Sequence, residues 1–400
     1  MTSLEQLTLA AEKLLELVTD DDHDTTRDDD NVDDVLDTLR TVSSKMTGSD
    51  EELSLLAVRS IILKCVSVRL EMTKTRVKIL TSLIHLHCDL VTDPDDDMIP
   101  NIVTTLQHNH VSPAAWLHIL TCISNEIFLR HQVIIVTGHY WSMIQSGLMS
   151  GDSITRKRSL FMMKRSVDTM TSDLSKLEDE SGLVTQQQSK SDAREFFDLF
   201  FLIYETLEEK QVHLVKQVLV KLEQLLSSSS TSSSTSWILI LFLRVFQHPN
   251  ISMVRWGVTA FLQTKFSRDV VTDQHFLSFI CNPLLEALNE TKIYSRDTEE
   301  DSDNVPGEVV SDQLRQFLDS VLAVVSDDQQ SSFIRTVVTA VCSSSWAPVP
   351  LTWLSFSLSH LQQEQQSLSG AELESVRSLV ETGMQYQEPL LRSAAQVVRD

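Results

Sequence analysis

Arg156, Lys157, Arg158, Lys164 and Arg165 place five cations within ten residues of a chain that holds 56 acidic against 33 basic side chains. On a helix, Lys157 and Lys164 stand two turns apart on one face, and Arg158 and Arg165 form a second row beside them. Side chains of this kind can hold phosphates, the ammonium groups as point charges and the guanidinium groups as forks. Leu160, Met163 and Val167 take another side and supply packing. Arg156, at the head of the helix, is equally placed to pair with Asp152, Asp168 or a carbonyl of the adjoining turn, and the same alternative stays open for the other four. No aromatic side chain is read as interleaved with these cations, so stacking of unpaired nucleotides is not expected. A second run, Arg69, Lys74, Arg76 and Lys78, has only Glu71 against it and is a weaker candidate.

Other chemistry is poorly served. There is no Walker loop, GxGxxG, GxSxG, HExxH or CxxC, so no catalytic, cofactor-binding or metal residue is assigned. His85, His87 and Cys88, with His108 and His110 further on, could in principle gather a metal. Positions two apart on a helix point to nearly opposite sides, so core and helix-surface histidines are the simpler reading. Ten aspartates and one arginine lie between Asp20 and Asp37. A calcium loop counted from Asp20 would need Gly and Glu where Thr25 and Asn31 stand, so a solvated acidic loop is expected instead.

The elements that must carry the cations are helices. Nine glycines and nine prolines in 400 residues are few, which argues against sheets joined by tight turns. The phrase from Gly138 to Asp168 reads as an apolar helix (Tyr140 to Met149), a Ser-Gly-Asp turn and the basic helix, a unit that buries its apolar sides only by stacking on neighbours of the same kind. Val58-Arg59, Thr155-Arg156, Val254-Arg255 and Leu391-Arg392 recur as helix openings, each followed by a small or aliphatic residue (Ile62, Ser159, Val258, Ala395). The first three lie 97 and 99 residues apart, about two HEAT units of ~40–47 residues plus a loop. The expected fold is therefore all-α, a HEAT/armadillo-like α-solenoid of stacked antiparallel helix pairs.

Along that array, residues 1–19 read as an N-terminal helix and 20–37 as an acidic disordered loop. Residues 38–170 read as HEAT-like repeats with the basic helix, 171–193 as a polar insertion, 194–226 as a helix pair and 227–236 as a Ser/Thr linker. Residues 237–295 read as a further repeat, 296–312 as a second acidic loop and 313–400 as more helical repeats.

A net charge of -23 repels phosphate backbones at long range, yet screening over ~8 Å leaves a local ridge able to act. Five scattered cysteines, Cys65, Cys88, Cys122, Cys281 and Cys342, read as buried free thiols of a reducing compartment. The start is an acidic amphipathic helix rather than a secretory signal, and the longest apolar run, Trp237 to Leu243, is far short of the ~20 residues that span a bilayer. An intracellular protein, cytoplasmic and/or nuclear, with no membrane or DNA partner, is expected.

The segments 138–168, 203–219 (IYETLEEKQVHLVKQVL), 254–262 (VRWGVTAFL) and 390–396 (LLRSAAQ), with 333–358 more weakly, together resemble the N-terminal helical-repeat region of the eukaryotic tRNA guanosine 2'-O-methyltransferases of the TAR RNA-binding protein family. The resemblance implies a long HEAT-like arm preceding a knotted SPOUT domain that binds S-adenosylmethionine and methylates a ribose in the tRNA D-loop. This sequence stops at Asp400 inside a helical repeat, so the SPOUT domain, its cofactor and its catalytic residues are expected to be missing. The expected function is a scaffold that positions tRNA. Alternatives are a general protein-binding solenoid whose acidic surface suits basic partners, and an arm that only dimerises or steadies a catalytic domain.

Overall fold

In the computed structural model the described residues are 3–19, 29–45, 49–67, 73–91, 96–109, 111–170, 190–209, 220, 232–264, 266, 271, 274–291, 307–325, 327–343 and 370–385. No strand occurs among them. The chain divides into two units, Met1–Gln186 and Gln187–Asp400.

The first unit holds α1 (Ser3–Thr19), α2 (Asp29–Ser43), α3 (Ser49–Ser67), α4 (Lys74–Leu90), α5 (Met98–His108), α6 (Pro113–Cys122), α7 (Ser124–Arg130), a 3-10 turn (Gln132–Val136), α8 (Gly138–Leu148) and α9 (Ser153–Met170). Most helices pack chiefly on those one and two places along the chain, and α6 also packs closely on α9. Thus α1 meets α2 and α3, α3 meets α4 and α5, and α2, α4, α6 and α8 follow one another before α9. Such near-neighbour packing of amphipathic helices is that of HEAT/armadillo-like repeats.

In the second unit α10 (Lys190–Glu208) packs on α11 (Ser232–Phe246), and α11 on α12 (Ile251–Gln263). Then come α13 (Gln274–Phe279), a π-turn (Ile280–Leu284), α14 (Leu285–Thr291), α15 (Gly307–Val324), α16 (Asp327–Ser343) and α17 (Gly370–Met384). The π-turn accommodates Pro283, whose missing N–H and bulky ring a regular helix interior tolerates poorly. Phe261 is the hub of this core, meeting the rings of Phe242, Phe276, Phe279 and Phe317. Arg244 of α11 and Glu208 of α10 form a 2.8 Å ion pair at the margin of that packing.

Several boundaries differ from those expected. Half of the acidic 20–37 segment is helix, not loop: Val32, Val35, Leu36, Leu39 and Val42 of α2 are buried, while Asp33, Asp34 and Asp37 face outward. Burying each such aliphatic is worth ~1.5–3 kcal/mol, against at most ~0.7 kcal/mol lost for an Asp in a helix. Aspartates in the first turn also suit the positive helix end. α10 begins at Lys190, α11 at Ser232 and α15 at Gly307, all earlier than expected. The helix opened by Pro113 breaks at Ile123, and α7 follows. Much of the second half of the expected helix pair 194–226, parts of the expected repeats 313–400, and Leu391-Arg392 lie outside the described residues.

The recurring phrase has a physical meaning. Val58, Thr155 and Val254 are buried, as are Ile62, Ser159 and Val258 one turn later. The arginine between them reaches for partners. Arg59 Nε donates to His87 Nε2 at 3.0 Å and Arg59 Nη2 to Asp96 Oδ1 at 2.7 Å, tying α3 to α4 and to the entry of α5. His87, nearly fully buried, lies 3.3 Å from Asp96 Oδ2. Burial pushes the His87 pKa below its usual value of 6.5, with Arg59 adding to the shift and Asp96 opposing it. The imidazole is thus held neutral, as accepting from Arg59 demands.

Cys65 and Cys281 are buried and Cys88 and Cys122 only half-buried, so the expectation of uniformly buried thiols is corrected for the latter two. Burial pushes the thiols of Cys65, Cys88 and Cys281 up to about 12, leaving them protonated and unreactive. Among the described residues no helix is long and apolar enough to cross a membrane.

Because the folded His87 pKa lies below the unfolded value, the unfolded chain binds more protons between the two. The stability His87 contributes is complete above pH ~6.5 and is lost as pH falls through the folded pKa. Thermal midpoints measured from pH 7 to 5 should fall, and His87→Gln should flatten that slope by at most one proton's worth.

Candidate nucleic-acid interface

The geometry of the basic helix is set by its partner. Thr137 caps α8 by accepting from the Tyr140 N–H at 3.3 Å, and the Trp141 indole donates to the Ile135 carbonyl at 2.9 Å, so α8 is fixed at its start. On the face toward α9, Gly147 leaves no room for a side chain. A Cβ there would sit 2.3 Å from Leu117 Cδ1 of α6 and 2.8 Å from Ser159 Oγ of α9. Ser159 donates to the Ile144 carbonyl at 2.6 Å. Two turns on, Ser166 Oγ lies 2.6 Å from the Tyr140 hydroxyl, which burial holds in its neutral form. Small residues at 147, 159 and 166 therefore let the two backbones approach and lock the rotation of α9 about its own axis.

The turn between them is built by Asp152 and Arg156. The Asp152 carboxylate accepts from the Thr155 hydroxyl at 2.6 Å and the Thr155 N–H at 2.8 Å, an N-cap that holds its pKa below the usual carboxylate value, the Thr155 hydroxyl contributing most. Arg156 turns inward, 8% exposed, and donates to the carbonyls of Ser150 at 2.9 Å and Gly151 at 2.8 Å. Of the five cations expected to grip phosphate, Arg156 is thus withdrawn from the surface. Its position after the buried Thr155 leaves its guanidinium facing the carbonyls of the turn that follows α8.

The other four stand on the outer half of α9. Lys157 is exposed, and Arg158, Lys164 and Arg165 are half-buried. Leu160, Met163 and Val167 are buried, so α9 presents the face expected of it. Arg158 leans toward α6, where His118 has its pKa lowered by burial first and by this guanidinium second. Arg165 is bound to α7: Nη1 donates to Asn125 Oδ1 at 2.9 Å, and the guanidinium carbon lies 4.6 Å from the centroid of the Phe128 ring. Asp168, exposed, ends the row.

The sequence pattern misses one residue of this face. Phe161 is 42% exposed and stands one turn after Lys157 and one turn before Lys164 and Arg165, whose guanidinium carbon is 5.8 Å from its ring centroid. An aromatic residue is therefore interleaved with the cations after all. The spacing of 157, 161 and 164 carries that information, but Phe161 reads as part of the Leu160–Met163 apolar run, four consecutive residues that a helix cannot turn inward together.

The second basic run disperses. Arg76 is buried, Lys78 pairs with Asp33 at 2.8 Å and Lys74 is exposed, while Arg69 lies outside the described residues. His85 is exposed and His87 buried, on opposite sides of α4.

With this geometry in place, comparison with known proteins gives a distant relationship. Over 305 residues the chain is 25% identical to the mouse tRNA (guanosine(18)-2'-O)-methyltransferase TARBP1, a match covering 70% of this chain and 19% of that protein. The chain thus spans about a fifth of the curated relative it matches. No protein-family model matches it. A chain solved in work on tubulin recruitment and assembly by microtubule polymerases with TOG domain arrays is 12% identical, covering 99% of this chain and 90% of its own, at a TM-score of 0.30. An engineered protein is 12% identical over 98% of each chain at 0.22.

Gly147→Val should lower unfolding free energy in urea by about 1–3 kcal/mol through overpacking, whereas Gly151→Ala, where nothing lies within 4 Å of a new Cβ, should change it little. Arg156→Ala should cost about 1.5–3 kcal/mol by stripping charged donors from two carbonyls. Lys157→Ala, on the open face, should stay within about 0.5 kcal/mol.

Proposed function

We propose that these helices are the scaffold portion of a tRNA ribose 2'-O-methylating enzyme and that α9 helps position its RNA. The observation that supports this most directly is the orientation of α9. Its apolar face and Arg156 are committed inward, while Lys157, with Arg158, Lys164 and Arg165 beside it, stands on the outer face of an otherwise acidic protein. The distant relationship to a tRNA methyltransferase points the same way. In this reading S-adenosylmethionine and the methyl transfer belong to a SPOUT domain separate from these repeats, in an intracellular, cytoplasmic or nuclear setting, and the helices contribute grip.

A grip made of few cations on a body of charge -23 is weak and salt-sensitive. Fluorescence anisotropy with unmodified tRNA should show affinity falling steeply between 50 and 200 mM salt. The double variant Lys157→Glu/Arg158→Glu should weaken binding by about tenfold and reduce the log–log salt slope by about one for each phosphate no longer neutralised. Affinity and slope unchanged by that variant, in a protein of unaltered thermal midpoint, would remove α9 from RNA binding.

A further inference from the structure

Resting on the reading of α9 as an RNA-facing helix, we propose that its ridge takes unpaired nucleotides, one base stacking on the open side of Phe161 while Lys157 and Arg158 hold the adjoining phosphates.

The first ground is the exposure of Phe161 beyond the first turn of α9, where Ile154 is also exposed. Leu160, Met162, Met163, Val167 and Met170 of α9 are all buried, whereas Phe161 remains 42% exposed in the centre of the helix. An aromatic ring 42% exposed at that position forgoes part of the burial free energy that its neighbours gain. Its neighbours supply the second ground. Lys157 precedes the ring by four residues, about 6 Å along the axis, and Lys164 and Arg165 follow it by three and four.

The third ground is that the ring is held. Arg165 lies 4.6 Å from the Phe128 centroid and 5.8 Å from the Phe161 centroid, and its Nη1 is anchored on Asn125. A guanidinium so placed is committed to the two rings and to α7. It positions Phe161 rather than reaching for a phosphate, and the phosphate contacts fall to Lys157 and Arg158.

A ring flanked by cations discriminates between forms of RNA. In a duplex the bases stack on one another and offer the protein backbone and 2'-hydroxyls, whereas unpaired bases offer their π faces to aromatic side chains. Cations alone would take either form by charge; the ring adds a term only for the unpaired one. An acidic peptide would satisfy the charges but would have no planar group for Phe161.

The test compares ten-nucleotide oligoadenylate and oligouridylate single strands, a blunt RNA duplex of equal length and a ten-residue polyglutamate peptide on the full chain. Phe161→Ala should weaken single-strand binding by ~5- to 150-fold, more for adenine than for uracil, and leave duplex affinity within about twofold. Phe161→Trp should retain the single-strand affinity and show indole quenching on addition of oligoadenylate. Phe161 is solvent-facing, and an unchanged thermal midpoint checks that α9 stays folded. Equal losses on both RNA forms, or no loss on either, would overturn the stacking proposal. Should Lys157→Glu/Arg158→Glu still abolish RNA binding in that case, the grip would stand and only the base stacking would fall. Polyglutamate bound as tightly as oligoadenylate, with no dependence on Phe161, would assign the ridge to acidic protein segments instead.

Discussion

The close approach of α8 and α9 governs what the rest of the first unit can present to solvent. Gly147 has no side chain because Leu117 and Ser159 already occupy its space, and Ser159 and Ser166 turn their hydroxyls onto groups of α8. Each residue advances a helix by 100°, so a slip of α9 by a single position would, according to its direction, either carry Arg156 out to the exposed place of Lys157 or carry Lys157 into the buried place of Arg156. Burying an ammonium without a partner costs several kcal/mol. The rotation is therefore determined twice, by steric contact on one side and by desolvation on the other.

The recurring arginine phrase shows the same economy with different partners. In α3 the arginine bridges to His87 and Asp96 on the following helix and turn. In α9 it folds back onto carbonyls of the turn just passed. Both arginines follow a buried residue and precede another buried one a turn later, so the backbone frame is constant while the guanidinium finds whatever acceptors its own repeat supplies. The phrase is a packing device. The positions that flank it, 157, 158 and 161, lie on the outer side of α9, where packing does not dictate the residue.

How far all this could be read from residues alone follows from the range of the interactions. Periodicity of 3.6 residues marks the buried side of α9 correctly, since Leu160, Met163 and Val167 need only their own helix to declare a face. The Arg156 alternatives include a turn carbonyl because that acceptor lies five or six residues away. The Arg59 cluster is invisible in the sequence, for its partners stand 28 and 37 residues distant and only stacking brings them together. In α2 a local signal misleads: aspartates dominate the composition, and the valine and leucine stripe beneath them emerges only when counted by face. Phe161 is missed for another reason: it stands inside the Leu160–Met163 apolar run, and only a count by helix face separates it from its buried neighbours.

The strong negative charge of the chain and its basic ridge are compatible because they act over different lengths. At physiological salt the field of the acidic body decays within ~8 Å, while contacts to phosphate are made at hydrogen-bond distance. On the proposed reading, a strand would be repelled on approach and held only when its backbone lies against α9 itself. Such a grip would select for ligands able to adapt locally, since a rigid duplex laid along the ridge would bring further phosphates near other parts of a chain of charge -23. A short unpaired stretch would place few charges beyond the cations and gain from Phe161 what it forgoes in electrostatics. The exposed ring and the net negative charge would thus favour the same kind of ligand, each for its own physical reason.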